Sequence, residues 1–159
     1  MPKMPSLSKA LQATFPHLVF EVSDDFHWSP ETNTVHYRID EELPDELLHE
    51  TAHGLLGHTH YEHDVDLLKI ERDAWSYAQN ELAPRFDIAI TDVTIEDALD
   101  SYRDWLHARS SCPHCSQTGI QTDKKTYKCL ACNAVWHPNE ARRCALRRYK
   151  HVPTKTPAL

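Results

Sequence analysis

The run His49-Glu50-Thr51-Ala52-His53 is an H-E-x-x-H pattern. On an α-helix, residues four apart lie about 40° apart around the axis and one turn along it, so both imidazoles can face one metal ion. Imidazole nitrogen is a good donor to Zn2+, and a zinc ion with an open position lowers the pKa of a bound water to about 7. Glu50, beside the first imidazole, can take a proton from that water and deliver it to a leaving amine. These residue types at this spacing fit metal-assisted hydrolysis. The plainer reading is a solvated histidine-rich helix, in a chain with 12 histidines.

A second constellation is Cys112-Pro-His-Cys115 and Cys129-Leu-Ala-Cys132, two C-x-x-C pairs separated by 13 residues. Each pair can form a turn whose backbone N–H groups face the sulfurs, and two such turns close a tetrahedral four-cysteine site of the zinc-ribbon kind. The intervening TGIQTDKKTYKC fits a β-hairpin. A unit this small buries too little apolar surface to fold alone, so its metal supplies folding energy and does no chemistry. Two zinc ions per chain are expected, one catalytic and one structural. His114 and His137 are spare donors, and Cys144 reads as a packed thiol on a helix.

The first site needs a third ligand. A metzincin continuation requires Gly at 56 and His at 59, where this chain has Leu56 and Thr59. A gluzincin takes a glutamate from the next helix, and KIERDAW offers Glu71, 18 residues after His53. That distance allows a short loop and two turns of an antiparallel helix. Asp73 points roughly 200° away when Glu71 faces the metal. His60, His63 and Asp73 are the alternatives for the third position. His58, His60, Tyr61 and His63 follow the motif closely. One of them could donate to a tetrahedral oxyanion, and Asp73 could support a ligand from behind. Each taken singly is by default a surface residue.

HETAH followed by ERDAWSYAQNELAP resembles the ImmA/IrrE-type zinc metallopeptidases, over about residues 34–84. Glu71 falls on that family's metal-binding glutamate, and Ala74, Ala78 and Leu82 on its helix-packing positions. Trp75 stands where the family usually has Asn. The resemblance implies a zinc-dependent endopeptidase with His49, His53 and Glu71 as ligands and Glu50 as base, acting on a protein or peptide substrate. The implied fold is α+β: a zincin-like core, with a small sheet packed on the HExxH and glutamate helices, followed by the four-cysteine zinc ribbon. A zincin with a C-terminal ribbon is also similar in outline to SprT-type proteases, whose ligand pattern this chain does not match.

Elements of suitable period surround these motifs. SLSKALQATF has helical spacing, HLVFEVS (17–23) reads as a strand, and TVHYRID (34–40) alternates through Val35, Tyr37 and Ile39. SPETN between them is turn chemistry. LPDELLHETAHGLLG reads as a helix entered at Pro44, with Asp45 and Glu46 at its positive end, a Leu48, Ala52 and Leu55 stripe, and Gly57 as the stop. HTHYEH is a polar connection. A second helix spans 64–83, with Leu67, Ile70, Ala74 and Ala78 on one side and Pro84 ending it. A third spans 94–110, with a Thr94-x-x-Asp97 cap and Ile95, Leu99, Tyr102 and Leu106 inward. EARRCALRRYK reads as a basic helix carrying Arg142, Arg143, Arg147, Arg148 and Lys150, and 153–159 as a disordered tail.

Charge divides the chain. Its net −7 is the balance of −14 over residues 1–109 and +7 over 110–159. This break predicts a metallopeptidase domain at 1–109, a ribbon with its basic helix at 110–152, and the tail. The basic segment could dock on the acidic half or bind nucleic acid. No run is long and apolar enough to span a membrane, no secretory signal is read, and paired cysteines suit a reducing compartment, so a cytoplasmic location is expected. Only three glycines occur, which leaves no phosphate-cradling glycine-rich loop. Two other functions compete. Another zinc hydrolase is disfavoured because the chain has no E-G-C-L-S-like segment, as in peptide deformylases, and has Gly57 where the rRNA-processing metalloproteins require His. The other is a ribbon that binds nucleic acid or protein on an inactive zincin scaffold.

Overall fold

A computed structural model describes residues 3–139 and 148–150. The chain is α+β, and its described residues divide into two compact units, those within 1–60 with 67–99 and those within 61–66 with 100–159. Among the described residues no helix is long and apolar enough to cross a membrane.

The first unit begins with helix α1 (Met4–Thr14), which buries Met4, Leu7 and Leu11 on one face. Three short strands follow: β1 (Val19–Val22), β2 (His27–Ser29) and β3 (Thr34–Tyr37). They form a sheet in the order β1-β3-β2, with β1 parallel and β2 antiparallel to β3. Both expected strands are shorter than their sequence runs, and Ile39, expected to continue the alternation, lies beyond β3 and is 54% exposed. β2 was not anticipated. Three residues are too few to show a period of two, yet Trp28 there pairs with Val35. Asn33, at φ 54°, makes the left-handed corner into β3.

Helix α2 (Pro44–Leu55) carries the H-E-x-x-H residues and packs on β2 and β3. Proline starts it where no backbone donor is needed, and Gly57, at φ 67°, turns the chain out of it. Gly54 permits close approach: a Cβ there would stand 3.0 Å from the Trp28 ring. Helix α3 (Asp64–Tyr77) does not stop at Pro84. It continues as a π-helical turn (Ala78–Leu82) and a 3-10 turn (Ala83–Phe86), ending at left-handed Asp87. Proline lacks a donor and crowds the carbonyl four residues back. The winding loosens just before it, so that the Ala83 N–H reaches the Ala78 carbonyl. Leu47, Leu48, Ala52, Ala74, Trp75, Ala78 and Leu82 join α1 and Val35 in one core.

Helix α4 (Asp92–Ser110) starts earlier than expected. Thr91, not Thr94, is its cap: the Thr91 hydroxyl accepts the Thr94 N–H at 3.2 Å. In the second unit, strands β4 (Ile120–Asp123), β5 (Thr126–Lys128), β6 (Val135–Pro138) and β7 (Arg148–Lys150) make an antiparallel sheet in sequential order. The expected basic helix is therefore corrected at its end. Residues 148–150 are a strand paired with β6, and extended pairing replaces helical winding there. Arg142, Arg143, Cys144, Arg147 and the 153–159 tail lie outside the described residues. Cys112, Tyr127, Cys129 and Trp136 form this unit's core. Arg109 is buried there, its guanidinium 4.5 Å from the Trp105 ring and bonded to Tyr127 Oη at 3.2 Å, while its carbonyl accepts the Trp136 indole.

Candidate metal centres

The first centre assembles from α2 and α3. His49 and His53, one turn apart on the inner face of α2, are buried, and so is Glu71 on α3. His49 Nε2 lies 3.0 Å from Glu71 Oε2 and 3.2 Å from His53 Nε2, and His53 Nε2 lies 3.6 Å from the same carboxylate oxygen. Donors sharing a tetrahedral zinc at about 2.05 Å stand about 3.3 Å apart. The three atoms have the separations that such an ion requires. Glu50 adds a carboxylate oxygen 3.9 Å from His49 Nε2, and the ligand atoms of His49, Glu50 and His53 all fall within 4.8 Å of one another. This histidine and glutamate group could hold a metal ion.

Burial sets the protonation of these side chains. It drives the His49 imidazole down to about 4, against the hydrogen bond with Glu71. Burial also opposes a charged His53, but the bond to Glu71 and the nearby Glu50 carboxylate outweigh it and raise His53. Glu71 would be raised by burial, yet its bonds to both imidazoles hold it well below the usual carboxylate range. Glu50 is pushed up to about 7, chiefly by burial, with His53 opposing and Glu71 and Glu46 assisting.

The two imidazoles are supported differently. His49 stacks on Trp75, ring centroids 4.1 Å apart and nearly parallel, while its Nδ1 and the Trp75 Nε1 have no hydrogen-bond partner among the described residues. Trp75 sits one turn beyond Glu71 on α3, so one helix face supplies both a carboxylate and a flat apolar backing. His53 Nδ1 instead lies 2.9 Å from His58 Nδ1. His58 also lines an open cleft of about 350 Å³ with Leu56, Asp73, Ser76, Tyr77, Asn80 and Glu81.

Of the other candidates from the sequence, His60 and His63 are engaged elsewhere. His60 is exposed and pairs with Glu31 at 2.7 Å, and exposed His63 lies 3.6 Å from Asp66. Tyr61 belongs with the second unit. Asp73 is exposed on the cleft wall. His58 is the neighbour that sequence reasoning left in the crowd. Its signal was its place directly after Gly57, where a chain leaving a helix through a left-handed residue folds back on the last turn.

The second centre is compatible with a zinc ribbon. Cys112 Sγ lies 3.6 Å from Cys132 Sγ, and Cys115 Sγ 3.5 Å from Cys129 Sγ. Thiolates on one tetrahedral zinc at about 2.3 Å stand about 3.75 Å apart, whereas a disulfide needs about 2.05 Å. All four are free thiols and together form a cluster that could hold an ion. The two turns are built alike. The first cysteine's carbonyl accepts the N–H four residues on, from Ser116 and Asn133, and its N–H donates to Gln117 and Ala134. Ser116 and Asn133 both take positive φ. Burial works against a charged Cys112, but N–H groups of Cys115 and His114 outweigh it and bring the thiol down to about 6. Gly119 is required, because a Cβ there would stand 2.3 Å from the Trp136 ring.

No family model, curated protein or solved structure matches this chain.

Proposed function

We propose that this chain is a zinc-dependent metalloendopeptidase of the gluzincin type, similar to the ImmA/IrrE metallopeptidases, with His49, His53 and Glu71 as ligands and Glu50 as general base. One observation carries the reading: His49 Nε2, His53 Nε2 and Glu71 Oε2 converge from two helices at 3.0, 3.2 and 3.6 Å. A zinc ion held by them would lower the pKa of a coordinated water to about 7 and polarise a substrate carbonyl. Glu50, next to the convergence point, accepts the proton of the attacking water on its carboxylate. As the carbon–nitrogen bond breaks, Glu50 returns that proton to the departing amine, so base and acid are the same group. Burial of the ligands keeps bulk water from competing for them. A second zinc, held by Cys112, Cys115, Cys129 and Cys132, would serve folding.

The decisive measurement pairs zinc content with hydrolysis of an unstructured protein substrate. Glu50→Gln is expected to keep both ions and lose hydrolysis by on the order of 10²–10⁴-fold. Chelator-treated protein is expected to be inactive and to recover with zinc. Full activity in Glu50→Gln would overturn the mechanism.

A further inference from the structure

An imidazole that offers Nε2 to a metal is normally oriented through its other nitrogen. His53 has such a partner, and the backbone creates it. Gly57 takes φ 67°, so α2 ends in a left-handed turn, and the His58 N–H returns to the His53 carbonyl at 3.0 Å. This is the six-to-one bond of a Schellman helix end. The His58 carbonyl in turn accepts the Trp28 indole N–H at 2.8 Å. With both backbone groups fixed, the His58 ring meets the His53 ring edge-on, centroids 5.1 Å apart, and the two Nδ1 atoms approach to 2.9 Å.

We propose that His58 is a positioning residue for the metal: it accepts the Nδ1–H of His53, fixes the tautomer whose lone pair is on Nε2, and aims that lone pair at the point shared with His49 and Glu71. The inference rests on the metal site of the proposed function, not on hydrolysis. Chemistry allows only this polarity. His53 Nε2 is the atom that faces His49 Nε2 and Glu71 Oε2, so with a metal there the ring proton sits on Nδ1. His58 must then present a bare Nδ1 and carry its own proton on Nε2. His49, backed by Trp75, has no corresponding acceptor among the described residues, so the burden of directional support falls on His53.

The test is metal affinity in the full-length protein loaded with Co2+. The thiolate-held and imidazole-held ions have different spectra, so chelator competition yields each affinity separately. His58→Ala is expected to weaken the imidazole-held ion about 10–100-fold and leave the thiolate-held ion unchanged. His58→Asn, whose Oδ1 can accept in place of Nδ1, is expected to recover affinity to within about threefold of the wild type. It also keeps the test open should His58→Ala fold poorly. His60→Ala is expected to change nothing. Unweakened binding in His58→Ala, no recovery in His58→Asn, or an equal loss in His60→Ala would each overturn the role of His58. If the wild type holds only the thiolate-bound ion, the metal site is absent and the proposed function falls too. If it holds both ions and His58→Ala matches it, only the role of His58 falls.

Discussion

His49 Nε2 and Glu71 Oε2, 22 residues apart in sequence, lie 3.0 Å apart between two helices, each on a buried side chain. A buried carboxylate this close to an imidazole belongs to a charge network or to a metal site. Metal analysis separates the two. Glu71→Ala and His49→Ala are each expected to drop zinc from two ions per chain to one, whereas Asp73→Ala, altering an exposed carboxylate on the cleft wall, keeps both. Two ions in Glu71→Ala would assign the third ligand elsewhere.

A side chain at Gly57 should cost backbone stability. A non-glycine residue in the left-handed region costs about 1 kcal/mol. Gly57→Ala is expected to lower stability by roughly that amount in urea denaturation. Nothing lies within 4 Å of a Cβ there, so the loss has no packing component. A loss above about 3 kcal/mol would point to a steric cause instead.

Glu46, beside the first site, gives a pH dependence whose sign in the metal-free protein follows from its burial. Burial, with Asp45 and Glu71 nearby, pushes its carboxyl up to about 7 from an ordinary 4.5. The folded state therefore holds a proton that the unfolded chain releases, and stability falls as pH rises from about 4.5 through 7. Glu46→Gln cannot ionise, so it should gain stability over the wild type between about pH 6 and pH 8, by roughly 1–2 kcal/mol after allowance for solvent screening. An equal difference at both pH values would refute the assignment.

Cys129→Ser removes one of four sulfurs from a unit whose described core is two cysteines, Tyr127 and Trp136. Loss of the thiolate-held ion should unfold the ribbon, because metal binding in such units is folding free energy of about 10 kcal/mol or more. The near-ultraviolet signal is the readout, with the share of Trp136, fully buried at 0% exposure and one of four tryptophans, taken as the difference from Trp136→Phe. An unchanged signal with one zinc missing would show a ribbon that folds without metal.

Much of the arrangement was legible because the chemistry and the elements share a period. Two histidines four apart presuppose a helix, and α2 has its proline entry and glycine exit where the sequence put them. Glu71 was reached through its spacing of 18 residues after His53 and the resemblance carried by ERDAWSYAQNELAP, and the structure brings its carboxylate 3.0 Å from His49 Nε2. What escaped notice was short or irregular. β2 has three residues, and the π-helical turn before Pro84 answers a proline that sequence rules read as a stop. Thr91 and Thr94 are both good caps, and only the fold chooses between them. His58 was hidden among neighbouring histidines, since its contact with His53 depends on one backbone torsion at Gly57.

Residues 61–66 leave α2 and lead into α3, yet they belong to the ribbon's compact unit. There Asp64 accepts from Tyr127 while its N–H donates to Gln121, which also reaches the Glu62 carbonyl. The ribbon is thus encoded in two separate stretches, one ahead of Glu71 and one well after it. Recombination that exchanged the C-terminal third as a cassette would strip Glu62 and Asp64 of their partners, in the stretch joining the helices that carry His49 and Glu71.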